Sequence, residues 1–158
     1  SPPSAVPSSS VTESQSVQTR LPPRVAALPD SFMANVPVDR WSWPADGRVI
    51  RPFSDEGHKG IDVSGERGAP VRAVAPGVIV YSGNGVTGYG ALLIVKHNDT
   101  YLSAYGHNDA LLVGEGEQVK AGQLIAEMGS TGTNSVKLHF EIRREGVPVD
   151  PEALLPRR

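Results

Sequence analysis

Two short segments far apart in the chain carry the residues best suited to chemistry. His58-Lys59-Gly60-Ile61-Asp62 supplies one imidazole and one carboxylate, and Lys137-Leu138-His139-Phe140-Glu141 supplies a second imidazole. Two imidazoles and one carboxylate suit zinc and leave one coordination position open for water. Lys137 lies two residues before His139 and places a cation beside this set. The sequence therefore predicts a metal site with a lysine next to its ligands.

The surroundings of these residues predict strands rather than helices. Gly57 and Gly60 argue against a helix at His58, because each glycine costs about 1 kcal/mol relative to alanine in a helix. We expect a bend that leads into a strand. Residues 138–143 alternate apolar and polar side chains, which places His139 on the polar face of a strand. Taken alone, each histidine is better explained as an ordinary surface residue than as a ligand.

Two other histidines lie near predicted strand ends. His107 follows the run 101–105, and an uncoordinated histidine there could hydrogen-bond a water or stabilise developing negative charge. His97 precedes Asn98 and Asp99, which favour a tight turn. We interpret His97 as a structural or merely exposed residue.

Short β-branched runs separated by glycines predict an all-β fold. The expected strands are 49–50, 71–74, 77–81, 92–96, 101–105, 119–121, 124–126 and 138–143, with helical turns only at 109–112 and 151–155. Segment 68–73 recurs in outline at 116–121, which predicts a compact antiparallel β-sandwich or barrel-like domain made by duplication. The alternative is that Gly-x-x-Val is simply common where a turn leads into a strand.

Composition separates the first 35 residues from the rest of the chain. They are rich in Ser and Pro, so we expect a flexible linker at 1–35 and a folded domain at 36–158. An ordered arm laid over the domain is the alternative. The 158-residue chain has a formal net charge of −2, which makes nucleic acid a poor candidate partner. It has no cysteine, which excludes Cys-ligated zinc but leaves a His/Asp site open.

Several motifs occur in an order that carries a family resemblance. They are Gly57-His58-x-Gly60-x-Asp62, Tyr105-x-His107, Gly122-Gln123-x-Ile125, Gly129-x-Thr131-Gly132 and Leu138-His139-Phe140-Glu141. Over roughly 41–155 this order resembles the LytM, or lysostaphin-type (M23), zinc peptidase domain. The resemblance implies a groove between β-sheets that receives peptidoglycan cross-bridge peptides. It also implies zinc ligands at His58, Asp62 and His139, and a catalytic histidine at His107.

Lys137 departs from the pattern of active family members, which usually carry His-x-His at this point. A lysine is normally protonated near neutral pH, and its ammonium has no lone pair with which to take a proton. General base catalysis typically contributes about 10²–10⁴-fold, so the departure predicts a degenerate site. The alternative is that a neutral His107 suffices for catalysis.

A closer resemblance connects 96–109, 119–123 and 128–133 to the C-terminal domains of the NlpD-like lipoproteins. It implies a non-catalytic regulator that binds peptidoglycan and activates a periplasmic, AmiC-like N-acetylmuramoyl-L-alanine amidase at cell division. It also implies a periplasmic location, with attachment to the outer membrane through a lipid anchor absent from this chain. The alternative is a zinc metalloendopeptidase that cuts cross-bridge peptides. A lipoyl or biotinyl carrier domain is disfavoured, because no lysine occupies the required hairpin tip.

A groove that binds rather than cuts depends on its shape and on exposed polar groups. We expect its rim to include Tyr89, Asn108, Thr131, Thr133, Lys137 and Arg143.

Overall fold

The computed structural model describes Val38 and residues 40–157, and the predicted linker 1–35 and the boundary at 36 lie outside them. The described chain forms ten strands and one short 3-10 helix, Pro151–Ala153. The strands are β1 (Val49–Arg51), β2 (Ile61–Val63), β3 (Pro70–Arg72), β4 (Gly77–Gly83), β5 (Ala91–Lys96), β6 (Tyr101–Leu111), β7 (Gln118–Val119), β8 (Leu124–Met128), β9 (Leu138–Arg144) and β10 (Val147–Val149). No helix in this part of the chain is long and apolar enough to cross a membrane.

Every strand pairing is antiparallel, which confirms the predicted all-β class. The main path through the sheet runs β1-β2-β9-β6-β5-β4-β7, while β10 pairs with β9 and β8 pairs with both β3 and β6. Within the described residues, the outermost strands β1 and β7 do not pair with each other, so the sheet stays open. The fold is therefore an antiparallel sheet that bends around its core without closing into a barrel.

The strand β6 extends beyond its predicted end and makes the helical turn expected at 109–112 wrong. Up to Gly106 it pairs with β9, and from Asn108 to Leu111 it pairs with β8. The second partner gives the backbone of 108–111 a ladder of hydrogen bonds, so there is no need for a local turn. His107, with φ of 65°, lies at the change of partner. Such a backbone conformation is rare for a residue other than glycine and is often found at functional sites.

One buried cluster joins both ends of the sheet. It takes side chains from β2 and β9 as well as from β3 and β8, among them Ile61, Val71, Ile125, Leu138, Phe140 and Ile142. Tyr105 of β6 is fully buried at its centre, with its ring 5.3 Å from that of Phe140. The apolar face predicted for 138–143 is therefore the face of β9 that packs on the core.

The internal repeat predicted at 68–73 and 116–121 has a common backbone geometry. Gly68 and Gly116 both adopt positive φ, 88° and 91°, which glycine tolerates without a steric cost. Each glycine precedes a short strand that pairs with a strand of the other copy, β3 with β8 and β7 with β4. The two copies thus pair reciprocally.

Candidate metal centre

Three side chains converge on one point, one from β9, one from β2 and one from the segment just before β2. His58 precedes β2, Asp62 lies in β2, and His139 lies opposite Asp62 in β9. One ligand atom from each of the three lies within 4.8 Å of the others. The Asp62 Oδ1 atom is 3.3 Å from His58 Nε2 and 2.8 Å from His139 Nδ1. The antiparallel register of β2 and β9 therefore assembles the predicted His/Asp/His set.

The His58 ring is held by a main-chain acceptor. Its Nδ1 lies 2.9 Å from the Pro52 carbonyl oxygen. A carbonyl can only accept, so Nδ1 carries the hydrogen and donates it. In the tautomer with this hydrogen, the lone pair is on Nε2, the atom that faces Asp62. In a metal-binding histidine, a hydrogen bond from the nitrogen that does not face the metal fixes the tautomer of the ring.

The buried carboxylate of Glu141 holds the His139 ring. Glu141 is 1% exposed and its Oε2 accepts a hydrogen bond from His139 Nε2 at 2.8 Å. It also accepts from the Tyr89 hydroxyl at 2.6 Å and from Arg143 Nε at 2.9 Å. Since Nε2 donates to Glu141, Nδ1 of His139 is the atom available to a metal. A carboxylate behind a metal-binding histidine both orients the ring and raises its basicity.

Both acidic residues of the site remain ionised. Burial opposes the ionisation of Asp62, but hydrogen bonding to His139 and the nearby charges of His139, His58 and Lys137 hold its pKa at about 2. Burial likewise opposes the ionisation of Glu141, and hydrogen bonds from His139, Tyr89 and Arg143 hold its pKa at about 2. Burial lowers the pKa of His139, but its bonds to the two carboxylates outweigh that effect and raise it.

His107 reaches the same groove from β6. Its Nδ1 lies 2.7 Å from the Thr131 carbonyl oxygen and donates to it, which leaves the Nε2 lone pair free. Its ring centroid is 6.0 Å from that of His139. Burial lowers the pKa of His107, against the effect of the Thr131 bond, so the ring favours the neutral form. A neutral imidazole beside the three-residue set can accept a proton or a hydrogen bond.

Backbone contact between two loops positions the acceptor of His107. Gly90 has a φ of 62°, and a Cβ built on it would lie only 2.2 Å from the Thr131 carbonyl oxygen. Only glycine permits this approach. The Thr131 hydroxyl accepts from Ala91 N at 3.0 Å and donates to the Asn108 carbonyl oxygen at 2.6 Å. Thr131 therefore connects both loops to β6 and fixes the His107 ring.

A groove of about 400 Å³ lies over these residues, above the face formed by β2, β9 and β6. A groove is present as predicted, but within the described residues its walls come largely from the loops around residues 57–59, 88–89 and 132–137 and not from a second sheet. The lining residues are Arg51, Gly57, His58, Lys59, Asp62, Gly88, Tyr89, His107, Gly132, Thr133, Lys137, His139 and Glu141. Arg51 and Lys59 are exposed, so the mouth of the groove carries positive charge.

Lys137 occupies the groove wall next to the ligand set. Its main-chain N–H donates to the Gly129 carbonyl oxygen at 3.0 Å, just before β9 begins. Its ammonium lies 3.4 Å from Asp62 Oδ2, and the side chain is 19% exposed. The lysine therefore does not turn away to solvent. It forms an ion pair with one of the three candidate ligands.

The residues expected at the rim divide into four groups. Tyr89 and Thr133 line the groove with Lys137, whereas Arg143 and Tyr89 border an adjoining apolar hollow of about 230 Å³. Thr131 accepts the hydrogen bond of His107 and does not line the groove. The structure corrects the placement of Asn108, which is fully buried and donates to the Ala91 and Tyr105 carbonyl oxygens. Its neighbour His107, with φ of 65°, lines the groove instead.

The part played by Glu141 was not predicted from the sequence, where the residue appears only within the motif Leu138-His139-Phe140-Glu141. The spacing of Glu141 from His139 could have indicated that the two side chains are neighbours, since residues two apart in a strand lie on the same face. That spacing places Glu141 beside His139 but does not reveal that Tyr89 and Arg143 cover it.

Comparison with known proteins identifies the family of this chain. Residues 56–151 match peptidase family M23. The chain is 60% identical to the lipoprotein NlpD/LppB homolog of Pseudomonas aeruginosa, over 80% of this chain and 43% of that protein. It is 55% identical to the murein hydrolase activator NlpD of Escherichia coli, over 78% of this chain and 33% of that protein. The chain therefore spans less than half the length of these two relatives.

A solved structure with the same fold is a zinc-containing peptidase from Vibrio cholerae. It superposes with a TM-score of 0.70 at 31% identity, over 75% of this chain and 41% of that chain. The matched residues 56–151 take in His58, Asp62, His107 and His139, the side chains that the fold brings into one groove. The ordered motifs, the fold and the family match agree that the chain belongs to peptidase family M23.

Proposed function

We propose that this chain is a non-catalytic regulator of peptidoglycan cleavage that binds and activates a periplasmic N-acetylmuramoyl-L-alanine amidase. The observation that carries the proposal is Lys137, whose ammonium is ion-paired with Asp62. A protonated amine cannot accept a proton, so the groove has one uncoordinated histidine, His107, instead of two bases. The name murein hydrolase activator borne by the Escherichia coli relative supports a regulatory function.

The names of the relatives support the proposed cellular location. Proteins at 60% and 55% identity are named as a lipoprotein homolog and as a murein hydrolase activator. We infer a periplasmic protein held at the outer membrane by a lipid anchor on the full-length chain.

The donor set fits zinc. His58 Nε2, Asp62 Oδ1 and His139 Nδ1 are the atoms that would hold it, a His₂-carboxylate set with an open position. When bound, zinc would polarise a carbonyl and lower the pKa of water. The chain's own residues prepare the site: Pro52 and Glu141 orient the two imidazoles. In this proposal a bound metal would not serve turnover.

The groove suits a bound segment of a partner. It is open to solvent, is lined mainly by polar side chains and has two exposed cations, Arg51 and Lys59, at its mouth. Among the described residues, neither cation belongs to an ion pair. Unpaired surface cations favour partners with acidic groups and increase the rate of encounter.

The decisive test measures dye release from labelled peptidoglycan by the zinc-loaded chain, alone and mixed with a periplasmic amidase. We expect release above the amidase's own rate only in the mixture. Lys59→Glu should reduce the stimulation, because it reverses a charge in the groove. Lys120→Glu reverses an exposed charge outside the groove and should leave stimulation unchanged. Release by the chain alone, abolished by a chelator, would contradict the proposal.

A second candidate is a zinc endopeptidase that cuts cross-bridge peptides. The observation that favours it is the complete His/Asp/His set with a neutral His107 whose Nε2 is free. For this function His107 alone would have to move the protons of the reaction. Release of dye by the unmodified chain alone, abolished by a chelator, would favour this candidate over the regulator.

A further inference from the structure

The two oxygens of the Asp62 carboxylate face different partners. Oδ1 faces the imidazoles, 3.3 Å from His58 Nε2 and 2.8 Å from His139 Nδ1. Oδ2 faces the Lys137 ammonium at 3.4 Å. The carboxylate is 4% exposed, so little solvent separates these groups. One buried anion is thus shared between a candidate metal position and a tethered cation.

The lysine is held in this place by the fold. Its backbone bonds to Gly129, and only 19% of its side chain is exposed. The only carboxylate paired with its ammonium among the described residues is that of Asp62. A metal ion bound at Oδ1 of Asp62 would lie close to the positive charge of the Lys137 ammonium, which pairs with Oδ2 of the same carboxylate. Like charges a few ångströms apart repel strongly where solvent is largely excluded.

We propose that Lys137 is a built-in competitor for the metal, which weakens zinc binding by pairing with the second oxygen of Asp62. The inference rests on the metal site of the proposed function but is independent of the amidase partner. The ammonium balances the charge of Asp62 when no metal is bound, so the groove keeps its shape without zinc. The chain would therefore hold zinc only where the free metal is abundant.

The competition predicts a charge-specific pattern of zinc affinities. Removing the charge with Lys137→Met should tighten the zinc Kd by about tenfold, a moderate value because the ammonium is partly exposed and screened. Lys137→Gln, also neutral, should act in the same direction, and Lys137→Arg should resemble the wild type. Lys59→Met is the matched control, since Lys59 lines the same groove but forms no ion pair among the described residues. It should change the Kd by less than about threefold.

The measurement is a zinc titration against a competing chelating dye, with circular dichroism to show that each variant is folded. A second readout follows from the reciprocity of linked equilibria. If zinc and Lys137 compete for Asp62, zinc should speed acetylation of the Lys137 amine in the wild type, as measured by mass spectrometry. The rate at Lys120, exposed and outside the groove, provides the reference.

Three outcomes would overturn the inference. One is an equal Kd for wild type, Lys137→Met and Lys137→Gln; another is equal tightening by Lys59→Met. The third is no zinc binding by any variant, which would remove the metal site as well. Amidase stimulation is scored in a separate assay, so equal zinc affinities would leave the amidase proposal standing.

Discussion

Two regions of this protein are built around histidines, and they put the same side chain to opposite uses. In the groove, His58 donates from Nδ1 to the Pro52 carbonyl oxygen and directs Nε2 at Asp62. Across the molecule, His97 donates from Nδ1 to the Pro76 carbonyl oxygen at 2.7 Å, and Ser103 lies 2.8 Å from its Nε2. The ring is anchored in the same way in both regions. What lies at the other nitrogen decides what it can do.

In the His97 region, buried side chains form a continuous chain of hydrogen bonds. Ser103 donates to His97 Nε2, the Tyr105 hydroxyl donates to Ser103 at 2.7 Å, and Val74 N–H donates to the Tyr105 oxygen at 3.1 Å. Burial, opposed by the Pro76 bond, lowers the pKa of His97 to about 4. Ser103 is 1% exposed, so this serine–histidine pair cannot meet a substrate. The region confirms that His97 is structural.

The groove histidines lie beside carboxylates and solvent instead. His139 is bonded to Asp62 and Glu141, and those anions raise its pKa while burial alone would lower it. The comparison shows that burial by itself makes a histidine structural. A ligand or a base requires a charged neighbour or an open groove in addition.

We expect Lys137→His to have the largest effect on activity. It would add a second base to the groove and so increase the chemical difference between the groove and the His97 region. A neutral imidazole at this position can accept a proton, and general base catalysis contributes about 10²–10⁴-fold. We expect dye release from labelled peptidoglycan by the variant alone to rise by about that factor and to stop on chelation. Lys59→His adds a histidine elsewhere in the groove and should have no effect. If Lys137→His gains nothing, the missing second base is not what limits catalysis.

The pH dependence of unfolding should isolate the His97 region. The folded-state pKa of His97, about 4, lies below the unfolded value near 6.5, so the unfolded state binds the proton first. The stability that His97 contributes is present above pH 6.5 and is lost as pH falls toward 4, by up to about 3 kcal/mol. We expect urea denaturation of wild type and His97→Gln to show this difference in slope. Parallel pH profiles would contradict the argument.

Glu141→Gln should have a smaller effect, confined to the groove. An amide accepts more weakly than a carboxylate from His139 Nε2, and loss of such a partner typically weakens metal binding about 10–100-fold. Zinc titration against a chelating dye measures the change. His97→Gln is the control from the other region and should leave the zinc Kd unchanged. Equal affinities in wild type and Glu141→Gln would show that the Glu141 carboxylate does not support His139.

Most strands were predictable because their signals are local. The alternation of 138–143 placed Leu138, Phe140 and Ile142 on the core face, and all three are fully buried. The turn at Asn98 was also local, since its side-chain oxygen accepts from Thr100 and Tyr101 N–H. The extension of β6 was not predictable, because it depends on pairing with β8, which lies later in the chain.

The candidate site was likewise predictable only where its signals are local. The sequence by itself determined which residues could act as ligands and which as a base, since the identities and order of His58, Asp62, His107 and His139 carry that information. Only the tertiary structure decided that Glu141 is covered by Tyr89 and Arg143, and that Lys137 pairs with Asp62. The physical reason is that periodicity reports the face of a strand, whereas charge and solvation depend on contacts between distant segments. Asp62 and His139 are 77 residues apart and meet only through the register of β2 and β9.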